Sequence, residues 1–368
     1  MRPHVPLLLF ALLACCRSGP TPVTDPAIPT LPFTIRAGKA VADVPGEKHL
    51  RNVRQLTFGG ENAEAYWSND GRKLILQSKR EPFQCDQIFV LDLETGVETL
   101  VSTGKGRTTC SYFLQGDRKI LYASTHLASA DCPPPVFHAD GRYVWPVYQG
   151  YDIFVADADG GHLQRLTDTP GYDAEGTVCP ITGRIVFTSV RDGDLEIYSM
   201  EPDGSDVTRL TNRVGYDGGA FYSHDGTKLI LRSGFPKDEA AVEEYQSLLA
   251  RGLVAPTEME ITIMDRDGSN FRQLTHNGKA NFAPYFHPDD ERILFASNMR
   301  DEKGRDFDIY MMNVDGEGLQ RITHNPTFDS FPMFSPDGRY LAFSSNRYGS
   351  EPGETNVFVA EWVERPRP

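Results

Sequence analysis

The residues best suited to chemistry in this 368-residue chain are three carboxylates, Asp173, Glu175 and Asp217, which recur in similar segments of the sequence. Carboxylate oxygens bind hard divalent cations, and they also accept hydrogen bonds from sugars and cationic groups. The same side chains could instead cap backbone N–H groups of turns beside a solvated channel. We favour the turn caps, because crowded carboxylates repel one another unless some are protonated or bind a cation.

These carboxylates belong to two series of equivalent positions, which emerge when the chain is aligned on recurrent turns such as Ser-Pro-Asp-Gly at 335–338. The first series lies six residues before the turn and holds Asn62, Thr108, Asp173, Asp217, Asn281 and Asp329. The second lies two residues further along the same strand face and holds Glu64, Cys110, Glu175, Gly219, Ala283 and Phe331. The members with side-chain oxygen atoms are candidates for a ligand-binding channel mouth, and none is assigned a catalytic role.

His126 is a further candidate, on the loop that follows the second strand of its repeat. A neutral imidazole there could act as a base, or it could hold the Pro-rich segment that follows it. We favour the structural role. Arg191 and Arg347 occupy nearly equivalent positions in other repeats.

The elements that must position these residues are repeats of 40–50 residues. One phrase occurs as RLTDTPGYDAEG at 165–176, as RLTNRVGYDGGA at 209–220 and as RITHNPTFDSFP at 321–332. Each unit holds four short apolar runs separated by turns rich in Asp-Gly, which favours tight hairpins. Six units predict an all-β, six-bladed β-propeller of four-stranded blades. The last unit supplies only three strands, so the N-terminal run 49–57 is expected to complete its blade and close the ring.

Two repeats carry inserts between their second and third strands, at about 126–150 and 236–258. The first insert is rich in Pro and aromatic residues, which could contact a sugar or a partner. The second contains the one predicted helix, over 237–252, with an apolar stripe along one side. Both inserts are expected to rise from the face where the carboxylate positions open, and to shape specificity there.

The segment RITHNPTFDSFPMFSPDGRYLAFSSNRYG at 321–349 resembles the PD40 (WD40-like) repeat of the TolB family of periplasmic propellers. The resemblance covers roughly residues 47–364 and implies the propeller fold. TolB carries an extra N-terminal α/β domain; about thirty Pro-rich residues precede the repeats here, so we expect that domain to be absent. The related oligogalacturonate lyases have seven blades and a His-rich manganese site, and the sequence holds no matching His cluster.

The N-terminus predicts export. Met1-Arg2 and the apolar run 5–14 are typical of a signal peptide, which we place at 1–14. Leu12-Leu13-Ala14-Cys15 resembles the bacterial lipobox, which implies a lipid on Cys15 and an outer-membrane protein that faces the periplasm. An ordinary cleaved signal peptide is the alternative. Residues 15–46 are interpreted as a tether, and 47–364 as the propeller.

Cysteine content and charge add two expectations. Cys85, Cys110 and Cys132 are predicted near one face, where a disulfide among them suits an exported protein, with the pairing left open; Cys179 is expected to be a free buried thiol. The formal net charge of −14 argues against nucleic-acid binding. It also limits membrane contact to the lipid anchor.

These features predict a monomeric binding or scaffolding propeller in the cell envelope. Its insert-bearing channel face would take a small polar ligand or an envelope protein. The alternative is a metal-assisted hydrolase or lyase that acts on a polysaccharide or peptide. That enzyme would use Asp173, Glu175 and Asp217 to hold a divalent cation, with His126 as a further participant.

Overall fold

The computed structural model describes residues 33–136 and 142–364. The predicted signal peptide 1–14, the lipidation site Cys15 and residues 137–141 of the first insert lie outside these ranges. The signal peptide and the lipid anchor therefore remain predictions.

The described chain forms 27 strands and one helix. The N-terminal strands and the first two blades, with one short insert strand (β9), comprise β1 Lys39–Ala40, β2 Leu50–Gln55, β3 Glu61–Trp67, β4 Lys73–Lys79, β5 Gln87–Asp92, β6 Glu98–Leu100, β7 Thr108–Phe113, β8 Lys119–Ser124, β9 Trp145–Pro146, β10 Asp152–Asp157 and β11 Gln164–Arg165. The third and fourth blades, with the helix and a second insert strand (β18), comprise β12 Asp173–Val178, β13 Ile185–Ser189, β14 Glu196–Met200, β15 Thr208–Arg209, β16 Asp217–Tyr222, β17 Lys228–Gly234, α1 Glu239–Leu249, β18 Leu253–Val254, β19 Met259–Asp265 and β20 Arg272–Gln273. The last two blades comprise β21 Asn281–Phe286, β22 Arg292–Ser297, β23 Asp308–Asn313, β24 Gln320–Arg321, β25 Asp329–Phe334, β26 Tyr340–Ser345 and β27 Asn356–Trp362.

The predicted six-bladed propeller is confirmed. Five antiparallel sheets of four strands each run from the innermost to the outermost strand in chain order. The middle strands of each blade are packed on both faces by neighbouring blades, so they have no solvent side. Apolar runs such as Leu74-Ile75-Leu76 are therefore fully buried, and they read as continuous rather than alternating hydrophobic sequence.

The sixth blade closes the ring. The N-terminal strand β2 pairs antiparallel with β27, with Gln55 opposite Phe358, and so supplies the fourth strand, as predicted. The structure differs from the predicted tether in one respect: β1 adds a fifth strand on the outer side of β2, and Ile35 and Ala37 are buried in the core. Residues 33–46 thus cover an edge that would otherwise be exposed.

A buried ion-pair cluster fastens this closure. Both amino groups of Arg347 donate to the Glu47 carboxylate, at 3.1 and 3.0 Å, and Nη2 also donates to Asp329 at 3.0 Å. All three residues are at most 3% exposed. One guanidinium is therefore shared between two carboxylates, which leaves one negative charge without its own counter-ion in the interior.

This shared charge should make the contribution of Asp329 to stability depend on pH. Burial raises the pKa of Asp329 to about 7, although Arg347 opposes the shift. The folded protein then holds this proton more tightly than the unfolded chain does, so the contribution is fully present below about pH 4 and is lost as the pH rises through about 7. We expect Asp329→Asn to cost about 2 kcal/mol more at about pH 5 than at about pH 8. Urea unfolding at both pH values measures this, and equal costs would contradict it.

The two inserts meet over one end of the channel. Strands β9 and β18, from the inserts of the second and fourth blades, pair antiparallel with each other. The predicted helix is confirmed as α1, which begins after the N-cap Asp238 and buries Leu248 against Val144 and Leu253. Tyr245 of the same helix donates a hydrogen bond to Asp194 of the third blade. We call the paired strands and the helix the lid.

A disulfide between Cys85 and Cys132 ties the first insert to the neighbouring first blade. Cys110 and Cys179 are free thiols, and Cys179 is buried as predicted. Within the described residues, no helical segment combines the length and the hydrophobicity that a membrane span requires.

Candidate functional site

The first series of predicted positions does not line the channel mouth. All six residues lie at the first or second position of the innermost strands and are at most 1% exposed. Their side chains bond to neighbouring strands: Asn62 to Ser78, Thr108 to the Asp86 carbonyl, Asp173 to Arg191, Asp217 to Ser233 and Arg213, Asn281 to the Met259 carbonyl, and Asp329 to Arg347. Thr108 and Asn281 bond to the preceding blade. The carboxylates Asp173, Asp217 and Asp329 are paired with arginines rather than free.

His126 is only half-buried, and it does not line the channel cavities described below. Its Nδ1 is 2.9 Å from the Ser124 hydroxyl, and its ring centroid is 4.5 Å from that of Phe154. Arg191 and Arg347 donate in the same way, through Nε, to Ser189 and Ser345. Burial lowers the pKa of His126, and Lys105 lowers it further.

The second series converges on the channel axis. Each of its residues sits at an irregularity in the innermost strand, where two residues oppose one on the partner strand. Each adopts a left-handed backbone, with φ between 47° and 61°. The bulge turns the side chains inward, so all six line one small cavity of about 30 Å³: Glu64, Cys110, Glu175, Gly219, Ala283 and Phe331. We call it the axial cavity.

An aromatic cluster separates the axial cavity from the opposite end of the channel. Tyr66, Tyr112, Phe221 and Tyr285 are packed with ring centroids 5.4 to 6.4 Å apart. Tyr66 and Phe221 line the axial cavity and also a cavity of about 130 Å³ on the turn-bearing side. A ligand that reaches the axial cavity therefore enters from the side of the inserts.

The insert side holds a larger cavity, of about 230 Å³, between the axial cavity and the lid. We call it the mouth pocket. The lid contributes Trp145, Pro146 and Val254 to it, and Val147, which follows β9, also lines it. Five residues line both cavities: Glu64, Cys110, Glu175, Arg232 and Phe331. Its remaining aromatic walls are Tyr148, Tyr151, Tyr172, Tyr216 and Phe282. Aromatic walls with a few fixed charges are typical of small-molecule sites.

A buried ion pair forms one wall of the mouth pocket. Arg232 donates through Nη2 to Glu175 and, at 2.7 Å, to the hydroxyl of Tyr216. Glu175 accepts further hydrogen bonds from Thr188 at 2.7 Å and from the backbone N–H of Gly219 at 2.9 Å. The Arg232 guanidinium also lies 5.4 Å from the ring centroid of Trp145 in the lid. The Tyr216 hydroxyl in turn donates to Glu175 at 3.0 Å, so four donors hold this carboxylate and it is not available as a metal ligand.

Arg232 is the functional residue that sequence reasoning missed. It lies third from the end of β17, at a position where the other second strands hold Gln77, Ala123, Thr188, Ala296 and Ser344. A charge at a position that the repeat fills with neutral residues was a readable signal. Gly219 carries a matching signal, because a Cβ there would lie 2.2 Å from Arg232 Nη1.

Gly219→Ala should therefore displace Arg232 from Glu175. Alanine tolerates the backbone itself, since Ala283 has φ 47° at the equivalent bulge, where Gly219 has φ 61°. We expect Gly219→Ala to lower the unfolding free energy of the parent protein by about 1–2 kcal/mol. In the Arg232→Met background the same substitution should cost about 1 kcal/mol less, because the side chain with which the new methyl group would clash is absent. Chemical denaturation of the four proteins in this cycle measures the coupling. Equal costs in both backgrounds would show that Arg232 does not require the glycine.

Glu64 and Cys110 lie on the adjacent first and second blades, and their side chains are in contact in the axial cavity. Burial raises the pKa of Glu64, and the neighbouring charge of Glu175 adds to the rise. Burial also raises the pKa of the Cys110 thiol, with Glu64 and Glu175 contributing, so the sulfur stays protonated and poorly nucleophilic. Across 33–136 and 142–364, no group of three or more His, Cys, Asp or Glu residues is arranged to hold a metal ion.

A closed ring of six antiparallel blades with a pocket at one channel mouth defines this chain as a six-bladed β-propeller. Residues 280–358 match the PD40 family, described as the TolB beta propeller domain. That segment is therefore similar to the TolB beta propeller domain, and the described chain as a whole has the propeller fold. No curated protein sequence matches it significantly.

Solved structures support the same fold. A putative TolB from Agrobacterium tumefaciens is 19% identical, with 83% of this chain and 91% of that chain covered and a TM-score of 0.54. TolB from Acinetobacter baumannii is 18% identical over 75% of this chain and 57% of its own, with a TM-score of 0.56. An oligogalacturonate lyase from Vibrio parahaemolyticus is 13% identical over 86% and 94%, with a TM-score of 0.50. At these identities the likeness shows the fold alone.

Proposed function

We propose that this chain is a binding propeller whose mouth pocket takes a small ligand, or a single side chain of a protein partner, in the cell envelope. The observation that carries the proposal is the cavity of about 230 Å³ beneath the lid, with aromatic walls and fixed charges. Its volume lies just below the usual range for drug-sized ligands. It suits one ring or one side chain better than a polymer.

The way in which the lid is built supports this proposal. Two blades that are not neighbours each contribute one strand to it, and the helix anchors it to the blade between them through Tyr245 and Asp194. The lid residue Trp145 also packs against Phe282 of the fifth blade, with ring centroids 4.9 Å apart. Four blades thus fix the roof of one pocket, which is the preorganisation that a binding site needs.

Filling the pocket tests the proposal. Cys110→Phe places a ring at an inward position whose backbone already carries phenylalanine in the sixth blade, at Phe331. The probes are benzyl alcohol, benzylamine and benzoate, measured by ligand-observed NMR against the whole chain. We expect at least one to bind the parent protein and to lose binding in Cys110→Phe. The matched control, Gln115→Phe, fills the opposite cavity and should leave binding unchanged. Absence of binding by all three, or binding unaffected by Cys110→Phe, would overturn the proposal.

We further propose that the protein is exported and anchored by a lipid on Cys15, with the propeller facing the periplasm. The Cys85–Cys132 disulfide supports export, because such bonds persist in oxidising compartments. Mass spectrometry of the membrane-extracted protein should find a lipid-modified Cys15 at its N-terminus. Cys15→Ala should move the protein to the soluble fraction; a protein that is soluble in both forms would contradict the anchor.

We do not propose the metal-assisted enzyme as a second function. Asp173 and Asp217 are buried and paired with Arg191 and Arg213, and Glu175 is held by four donors. A divalent cation would have to displace these arginines to gain the carboxylates. No observation on these residues favours that exchange.

A further inference from the structure

The charges around the mouth pocket leave one carboxylate without a counter-ion. Glu175 is paired with Arg232, and Arg107 lies 3.6 Å from Asp86. The fourth charged residue of the lining, Glu64, takes part in no ion pair among the described residues. Its carboxylate accepts a 3.2 Å hydrogen bond from the hydroxyl of Tyr66 and contacts the weakly donating thiol of Cys110. Glu64 therefore has the capacity to pair with a cation.

The aromatic walls favour the same ligand charge. An aromatic ring presents a negative face that attracts cations. The protein uses three of these rings for its own guanidinium groups: Arg107 lies 5.7 Å from the Tyr148 centroid, and Arg232 lies over Trp145 and Tyr216. The rings of Tyr172, Phe282 and Phe331 also line the pocket and carry no such cation in the described part of the chain. A ligand cation could contact them without displacing an arginine.

The two arginines do not make the pocket an anion site. The Nε atoms of Arg107 and Arg232 have no hydrogen-bond partner in the described structure. Both atoms are fully buried, so a ligand in the cavity does not reach them. Each guanidinium already faces a carboxylate. The chain's formal charge of −14 also concentrates cations, not anions, around the molecule.

We propose that the mouth pocket selects a small organic cation, an ammonium group on an aromatic or apolar body, whose charge pairs with Glu64 while its body packs among the ring walls. This rests on the proposed binding function and specifies its ligand class. The ammonium donates to the Glu64 carboxylate in place of water. The lid, already in place, covers the apolar body.

Calorimetric titration of the whole chain with benzylamine, benzyl alcohol and benzoate tests the ligand class, because these probes share a ring and differ in charge. We expect benzylamine to bind about tenfold more tightly than benzyl alcohol, the range of a charge-assisted hydrogen bond. Benzoate should bind most weakly. Glu64→Gln keeps the shape of the side chain and should abolish the preference for benzylamine. Glu61→Gln, at an exposed carboxylate of the same strand paired with Lys79, is the matched control and should preserve it.

The outcomes separate the two proposals. If benzyl alcohol or benzoate binds as tightly as benzylamine and Cys110→Phe blocks that binding, the pocket is a ligand site but the cation assignment is wrong. If Glu64→Gln retains the preference, Glu64 is not the counter-ion and the assignment is equally wrong. If none of the three probes binds, both proposals fail. The comparison among probes uses the unaltered protein, so it does not depend on how any variant folds.

Discussion

Replacement of Arg347 by methionine should destabilise the folded protein by about 3–5 kcal/mol, the cost of leaving partners of a buried ion pair without their counter-ion. Glu47 and Asp329 would remain in the interior with no cation, although both are at most 1% exposed. Methionine retains much of the side-chain volume, so the loss reports the charge rather than a cavity. Urea unfolding followed by tryptophan fluorescence measures the difference.

The matched control for this prediction is Arg339→Met, in the same blade. The Arg339 side chain is 57% exposed, and its amino group lies 4.0 Å from Asp337. Exposed pairs of this kind contribute about 0–1 kcal/mol, so the control should unfold close to the parent protein. If Arg347→Met also cost less than about 1 kcal/mol, the cluster would be dispensable and ring closure would depend on strand pairing alone.

Removal of the disulfide should give the second-largest effect. The double variant Cys85→Ser/Cys132→Ser opens a covalent loop between residues 47 positions apart. We expect a loss of about 2–4 kcal/mol, because the unfolded chain regains the freedom that the cross-link denies it. Amide hydrogen exchange should increase most at Trp145 and in the paired strand β18, since the bond holds the first insert at its base.

A reductant provides the control for the disulfide. Dithiothreitol should lower the unfolding midpoint of the parent protein toward that of the double variant, and should not change the variant itself. Unfolding midpoints that coincide without reductant would mean that the cross-link contributes nothing to stability. Unchanged exchange at Trp145 would show that the lid is held by packing alone.

The fold was predictable because short sequence segments within each repeat determine its strands and turns. Asp-Gly turns at fixed spacing and short apolar runs define each blade, and a last unit with three strands predicts closure by β2. The helix α1 was equally visible, from its apolar stripe and Asp238. The predicted tether, 15–46, includes residues that belong to the propeller. Ile35 and Ala37 pack in its core, but they lie in a short segment without a repeat signal.

The candidate site was only partly predictable, for a geometric reason. Alignment of the repeats found both series of positions, but alternation along a regular strand places them on the same face. The bulge in every innermost strand breaks that alternation, turns Glu64 and Glu175 toward the axis, and leaves Asp173 and Asp217 between blades. The partner of Glu175 lay on another strand, in Arg232, and only the assembled ring brings the two together. The spacing of Glu175 and Arg232 in the sequence does not predict that they form an ion pair.

The pairing of β2 with β27 has a consequence for how this protein is made. The Thr57 hydroxyl accepts a hydrogen bond from the backbone N–H of Val357, 300 residues away. The sixth blade therefore cannot form until the last part of the chain has been synthesised. Contacts so distant in sequence form slowly, and until they form the nascent ring presents unpaired strand edges at both ends. A chain that is truncated late in synthesis cannot pair β2 with β27, so its strand edges stay exposed. Completion of the chain and burial of its edges are thus one event, which makes truncated copies recognisable to proteases.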